Sequence, residues 1–259
     1  MTALLDVRGI SKAFRGLVAL KGLSFQVAPA EVVGLIGPNG AGKTTAFNII
    51  SGSTKPTSGE IYFRGKRLNN LRSHEIVRCG LARTFQATNL FHDATVFENV
   101  MRGSFIRNTV GFLSCISNSR QCRDQQARAR SRTVEVLDIF GLTGDANFIA
   151  GSLPYGHQRR LGVAIAFASA PELLLVDEPA AGLNAAEAEQ MASLIRKIRS
   201  ETSMSILIIE HNMRMMMNLC DRLVVLNHGD MIAAARPDEI GKNERVIAAY
   251  LGNDEDDTA

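Results

Sequence analysis

Apolar and polar positions alternate along the first forty residues. "LLDVRGISKAF" (4–14) and "LKGLSFQV" (20–27) repeat with period two, and "EVVGLIG" (31–37) closes on a short apolar run, with glycines between the segments. That pattern predicts a small antiparallel sheet leading into a buried strand. "GEIYFRGKRL" (59–68) reads as a further hairpin arm. From 90 to 150 the periodicity becomes helical, interrupted by an irregular Ser/Asn/Gly stretch at 103–122, which predicts an inserted lobe. After residue 171 strands and helices alternate again. "ELLLVDEP" is an apolar strand ending in acids, and "AAEAEQMASLIRKIRS" is an amphipathic helix with Met191, Leu194, Ile195 and Ile198 on one face. "SILIIEH" is a second buried strand, and "DRLVVLNHGDMIAAA" is a strand pair turning at His228-Gly229. The acidic tail "GNDEDDTA" is expected to fray.

Composition narrows the class without naming a chemistry. The 259 residues are 46% hydrophobic and 21% charged, which suits one large globular domain or a domain with a lobe. A net charge of +3 neither favours nor excludes nucleic acid as a partner. Cys79, Cys115, Cys122 and Cys220 form no C-x-x-C pair, which suggests a reducing compartment rather than a disulfide framework or a zinc site. Residues 1–20 lack the apolar core of a signal peptide. The longest apolar run, "LGVAIAFASA", ends at Pro171 and falls short of the ~18–20 residues of a spanning helix. A cytoplasmic chain is expected, with any membrane role reached through a partner.

The strongest chemical motif is "GPNGAGKT", Gly37 to Thr44, which fits G-x-x-x-x-G-K-[ST]. It follows the apolar strand "EVVGLI" and precedes the apolar helix "TAFNII", the context a P-loop requires. The loop of Gly37, Pro38, Asn39, Gly40, Ala41 and Gly42, whose glycines let the chain turn, would wrap the backbone N–H groups of its residues other than Pro38 around phosphates. Lys43 sets a point charge on the same oxygens, the Thr44 hydroxyl can ligate Mg²⁺, and Thr45 can reach the α-phosphate. A P-loop also needs an acid for the metal, and "LLLVDEP" supplies Asp177 at the end of a strand. Glu178, one residue on, can face an attacking water and is the candidate general base.

"LPYGHQRRL" (153–161) opens a helix with donors and cations and no carboxylate, although the positive N-terminus of a helix favours an acid. It is either a polar loop before a core helix or a cradle for a phosphate brought from outside.

With these elements in order, the chain resembles the nucleotide-binding subunits of ABC transporters over nearly its full length. The series P-loop, "TFQ", "LPYGHQRRL", "LLLVDEP", "AGLN", "IIEH" follows that family's order of motifs. The resemblance implies an α/β fold: a P-loop NTPase (RecA-like) core with an N-terminal antiparallel β subdomain and an inserted α-helical subdomain. It implies a core over 1–88 and 163–240, a helical signature subdomain over 89–162, and a C-terminal helix and tail over 241–259. It also implies ATP and Mg²⁺. Gln86 falls at the glutamine that senses the metal and couples to the membrane partner, and His211 at the switch histidine that contacts the γ-phosphate and orients Glu178. Phe14 falls where the family stacks an aromatic ring on adenine. "LPYGHQRRL" takes the place of the LSGGQ signature, so Gly156 and His157 would meet the nucleotide of a second cassette, in a hetero- or homodimer joined head to tail. Pro154, Tyr155 and His157 depart from that pattern, and Asn184 stands where the D-loop usually has Asp.

A narrower resemblance rests on "TFQATNLFHDATVFENV", "EHNM" and "AYLG". These resemble the ATP-binding subunits of branched-chain amino-acid importers and their urea and amide relatives. That likeness implies transmembrane permease subunits, a solute-binding protein acting indirectly, and a peripheral place on the cytoplasmic face of the inner membrane. It also leads to the expectation that the segment from Gln86 to Glu98 receives a permease helix. The alternative is a soluble ABC ATPase acting on nucleic acid or ribosomes. Its best support is the run Arg102, Arg107, Arg120, Arg123, Arg128, Arg130 and Arg132 against Asp124; no nucleic acid is expected, since the zinc cysteines, second cassette and long coiled-coil insert of that class are not visible.

Overall fold

The computed structural model describes residues 3–84, 90–105 and 120–251. Two sheets organise them. Strands β1 (Leu5–Phe14), β2 (Leu17–Val27), β4 (Ser58–Phe63) and β5 (Lys66–Arg67) form an antiparallel sheet in the order β2-β1-β4-β5. Strands β3 (Val32–Ile36), β6 (Leu81–Arg83), β7 (Leu173–Asp177), β8 (Ser205–Ile209), β9 (Arg222–Asn227) and β10 (Asp230–Ala235) form the second, in the order β10-β9-β3-β8-β7-β6. Its pairs are parallel except β10 on β9, the hairpin predicted to turn at His228-Gly229.

The short runs "VVGLI", "LLLVD" and "SILII" are buried along their whole length, as strands covered on both faces must be. Period two sorts their side chains into two cores. Val33, Leu35, Leu173, Leu175, Leu207 and Ile209 point into the core shared with the antiparallel sheet and with helix α1 (Lys43–Ile50). Val32, Ile36, Leu174, Val176, Ile206 and Ile208 point into the other, which the remaining long helices cover. Those helices are α3 (Val96–Phe105), α4 (Arg120–Ile139), α5 (Tyr155–Ala168) and α6 (Ala185–Thr202); α2 (Ser73–Cys79) is a short helix before β6, and α7 (Met213–Leu219), α8 (Pro237–Ile240) and α9 (Glu244–Leu251) are the remaining α-helices among the described residues. None of them is long and apolar enough to cross a membrane.

The helices start where the sequence offers caps. Thr95 and Glu98 exchange side chain-to-backbone bonds at the start of α3, and Asn184 and Glu187 do the same at α6. Asn184, out of pattern as an acid, is in pattern as a helix cap. The irregular stretch expected over 103–122 does not hold at its two ends. Residues 103–105 continue α3 and 120–122 begin α4. Packing overrides propensity there: a Cβ on Gly103 would lie 2.1 Å from the Ile165 carbonyl oxygen, so only glycine lets α3 approach α5 this closely. Residues 106–119 lie outside the described residues, as do Arg107 and Cys115.

Several arginines of the basic run serve packing. Arg102 covers the Phe91 ring at 3.8 Å, Arg130 covers Phe97 at 5.9 Å, and Arg132 covers Phe167 at 4.7 Å while pairing with Glu135.

Candidate functional site

Strand order brings the candidate residues together. β3 lies between β8 and β9, and β7 lies beside β8. In open α/β sheets, ligands gather outside the C-terminal strand ends where connections diverge. The P-loop leaves β3 at that edge. Asp177 ends β7 in register with Ile209 at the end of β8. Glu178, the first residue beyond β7, and His211, the second beyond β8, therefore leave the sheet as neighbours.

Close backbone approaches shape the P-loop. Gly37 has φ 148°, and a Cβ there would stand 2.0 Å from the Leu226 carbonyl oxygen of β9. Gly42 has φ 102°, and its Cβ would meet the Ala19 carbonyl oxygen of β2 at 2.5 Å. The Gly229 N–H donates to the Ala41 carbonyl at 3.1 Å. Both sheets thus hold the loop from outside, while Asn39 and Gly40 are exposed at its rim and nothing crowds Gly40. Lys43 is buried and donates to the Gly37 and Pro38 carbonyl oxygens at 2.7 and 2.8 Å. Burial pulls its ammonium below the usual lysine range, and the charge of Glu178 partly opposes that.

Glu178 carries a left-handed backbone, φ 45°, rare for a residue with a side chain. Its N–H donates to the Ile209 carbonyl, and its Oε1 lies 3.0 Å from His211 Nε2. A Glu–His pair is thereby aimed at the P-loop. Residues Asn39 to Thr45, Ala19, Glu178 and His211 line a cavity of about 190 Å³. No residue from Leu153 to Leu161 lines it. The volume falls below the roughly 300–1,000 Å³ of a complete small-molecule pocket, as expected of a wall that a second surface must close. Phe14 stands outside this lining, at the exposed end of β1, with Lys12 Nζ 4.9 Å from its ring centroid. The exposed ring suits a base stacked from solvent.

Asp177 is buried, and its Oδ2 accepts from Arg83 Nη2 at 2.6 Å. Its own N–H donates to Thr84 Oγ1 at 3.1 Å. Among the described residues no group of three or more His, Cys, Asp or Glu side chains could hold a metal. Thr44 and Asp177 fit Mg²⁺, which takes one or two protein oxygens beside substrate phosphates rather than a protein cage. Gln86 lies outside the described residues.

The signature segment is held separately. Pro154, φ −54°, precedes α5, and its carbonyl accepts from the His157 and Gln158 N–H groups. Gly156 is buried, with Glu187 Oε1 3.0 Å from where its Cβ would stand. Tyr155 is half exposed; its hydroxyl donates to the Ala181 carbonyl at 3.3 Å and accepts from Arg159 Nε at 2.9 Å. His157 Nδ1 lies 2.7 Å from Asp145 Oδ2, so the ring already has an acid of its own and only Nε2 remains free to turn outward. In the expected docking segment, Leu90, Val96 and Phe97 pack inward and Phe91 is exposed beneath Arg102; Thr88 and Asn89 lie outside the described residues.

Two residues escaped sequence reasoning. Arg83 is one. The other is Glu210, buried, whose carboxylate accepts from the N–H groups of Ala180, His211 and Asn212 and so ties the turn after Glu178 to the turn carrying His211. A charge inside "LART" and another closing "SILII" were the available signals, each adjoining a motif residue.

Comparison with known proteins agrees with this geometry. The ABC transporter family model matches residues 20–181, and a model for branched-chain amino acid ATP-binding cassette transporters matches residues 231–256. The high-affinity branched-chain amino acid transport ATP-binding protein LivG of Escherichia coli (strain K12) is 41% identical over 96% of this chain and 98% of its own length. The ADP conformation of MJ1267, an ATP-binding cassette of an ABC transporter, superposes with a TM-score of 0.84 at 27% identity, covering 97% of this chain and 100% of that one. The dimeric post-hydrolysis state of the cassette MJ0796, bound to ADP and Pi, gives 0.76 at 25% identity over 90% and 98%. A P-loop whose carbonyls hold the lysine, a Glu–His pair beside it, and a family match across the site together place this chain among the ABC transporter ATP-binding proteins, ATPases that use ATP and Mg²⁺.

Proposed function

We propose that this chain is one of two ATP-hydrolysing subunits that drive a membrane importer of branched-chain amino acids or related small solutes. The full-length likeness to LivG carries that reading. The alternative, a soluble ATPase acting on nucleic acid or ribosomes, finds no support among the relatives.

In this reading the N–H groups of Asn39 to Thr45 and the ammonium of Lys43 receive the triphosphate, with Lys43 exchanging its bonds to the Gly37 and Pro38 carbonyls for phosphate oxygens. Phe14 stacks on the adenine. Thr44 and Asp177, with Gln86, would hold Mg²⁺, and the ion would supply positive charge against the phosphates. Glu178 accepts a proton from the water that attacks the γ-phosphorus; the bond to the β–γ bridging oxygen breaks, and ADP and phosphate leave. His211, bonded to Glu178, keeps that carboxylate in place and faces the γ-phosphate.

The signature segment of a second cassette closes the cavity head to tail, as Gly156 and His157 of this chain close that of the second cassette. Residues 1–88 and 163–240 then form the nucleotide-binding core, 89–162 the helical signature subdomain, and 241–259 the C-terminal helix and tail. The segment from Gln86 to Glu98 meets a cytoplasmic helix of a permease and so fixes the subunit to the cytoplasmic face of the inner membrane, while a solute-binding protein acts on the far side. The test is reconstitution of the chain with its permeases and partner cassette in vesicles. ATP-dependent uptake of leucine, isoleucine or valine is expected. ATP-dependent uptake of a different class of solute, with none of these three, overturns the substrate assignment.

A further inference from the structure

Arg83 makes more polar contacts around the metal-facing residues than any function assigned above requires. Its Nη2 donates to Asp177 Oδ2 at 2.6 Å, and its Nη1 donates to Asn48 Oδ1 at 2.7 Å and Ser51 Oγ at 3.2 Å. Its guanidinium carbon stands 5.8 Å from the centroid of the Phe47 ring. One planar fork thus joins β6, the end of β7 and helix α1. The pair is largely hidden: the Arg83 side chain is 19% exposed and that of Asp177 is 6% exposed.

The geometry divides the Asp177 carboxylate between two tasks. Oδ2 is taken by Arg83, while among the described residues nothing bonds to Oδ1. Asn48 lies four residues after Thr44, one turn along the same face of α1. The guanidinium therefore bridges the carboxylate that faces the metal and the helix that carries the metal-facing hydroxyl. Thr44, Ser51, Arg83 and Asp177 also line a common cavity of about 430 Å³.

We propose that Arg83 is a positioning residue that sets the spacing and orientation of Asp177 against Thr44, and thereby the affinity of the site for Mg²⁺. This rests on the reading that Thr44 and Asp177 hold the metal. Arginine suits the task because its rigid fork fixes two partners at once, where a lysine holds one. Partners behind a metal ligand commonly govern about 10–100-fold in metal affinity.

The experiment titrates Mg²⁺ against binding of a fluorescent ATP analogue by the whole purified chain, beside the same binding measured without metal. Arg83→Met is expected to raise the half-saturating Mg²⁺ concentration about tenfold or more, while metal-free binding changes less than about twofold. Arg83→Lys keeps the charge opposite Asp177 and loses the fork to α1; it covers the case in which the methionine variant does not fold. An intermediate rise, about threefold, is expected for it. A purely structural role would weaken binding equally with and without metal. That result, or an unchanged half-saturation in a folded Arg83→Lys chain, overturns the proposal. Asp177→Asn separates the two levels. If it leaves the Mg²⁺ dependence unchanged, the underlying metal reading fails; if it shifts that dependence and the Arg83 variants do not, only the present inference fails.

Discussion

The P-loop and the segment from Leu153 to Leu161 both present backbone N–H groups at the start of a helix, α1 and α5, and are held in opposite ways. The P-loop is clamped by backbone from both sheets: Leu226 stands behind Gly37, Ala19 behind Gly42, and Gly229 bonds to Ala41. Its conformation belongs to the core. Pro154 and Tyr155 lie exposed, and the contacts that place their turn run to Asp145, to a neighbouring loop and to the first turn of α6. Tyr155 reaches Ala181, Gly156 abuts Glu187, and Asn184 between them caps α6. That loop begins directly after Glu178. In the proposed dimer, what closes over the signature is therefore linked through a few bonded residues to the glutamate serving the other site. The conformation of the P-loop is fixed within this chain, whereas in the proposed dimer the signature acts only against a second surface.

The largest expected effect breaks the clamped side alone. Glu178→Gln keeps the shape of the cavity and removes the proposed base, and a lost general base costs about 10²–10⁴ in rate. Nucleotide binding should persist, because Lys43 and the P-loop amides are untouched. Single-turnover hydrolysis and equilibrium binding in the assembled dimer separate the two quantities. A wild-type rate with all partners present would mean that another group takes the proton.

A smaller change sharpens the link between the two regions. Tyr155→Phe removes the hydroxyl that joins Ala181 and Arg159 and keeps the ring beneath the guanidinium. One hydrogen bond is worth about 0.5–1.5 kcal/mol, so kcat of the dimer should fall about two- to tenfold. Nucleotide affinity of the separate chain should not move, since Tyr155 does not line its own cavity. An equal fall in both would show that the tyrosine only supports the fold.

What the sequence made legible follows the same division. The P-loop, Asp177 and Glu178 were legible as candidates because strand, turn and helix lie consecutively along the chain, and the apolar runs of β3, β7 and β8 are short and unbroken; His211 was reached only through the family's order of motifs, and the structure sets it against Glu178. Arg83 and Glu210 stayed hidden because their partners are distant in sequence: Asp177 is 94 residues from Arg83, and Ala180 is 30 from Glu210. Nothing local marks a charge as a clamp. Asn184 looked like a weakened acid when compared with a pattern, although Glu187 three residues on makes it a helix cap by spacing alone. Composition likewise read Gly103 as part of an irregular stretch, where close contact with α5 keeps it in α3.

The smallest effect concerns Pro154. Replacing the usual signature serine with proline removes a hydroxyl and an N–H, and a donor lost from developing charge can cost about 10²–10³ in rate. The structure favours a milder outcome. Proline pre-sets the φ of a helix start, where its missing N–H has no helical partner to lose. The first N–H groups of α5 are already oriented: His157 and Gln158 bond to the Pro154 carbonyl, Gln158 Nε2 holds the Leu153 carbonyl at 2.9 Å, and Asp145 fixes the His157 ring. In Pro154→Ser the new hydroxyl can cap α5, worth about 1 kcal/mol of helix stability. The measurement is turnover in a dimer whose other cassette keeps its own base while this chain carries Glu178→Gln, so that only the site beneath "LPYGHQRRL" works. A change below about twofold is expected, the range left when no hydrogen bond to the transition state is gained. A rise of tenfold or more would show instead that the proline leaves the nucleotide short of a donor, and that the exposed region limits the machine.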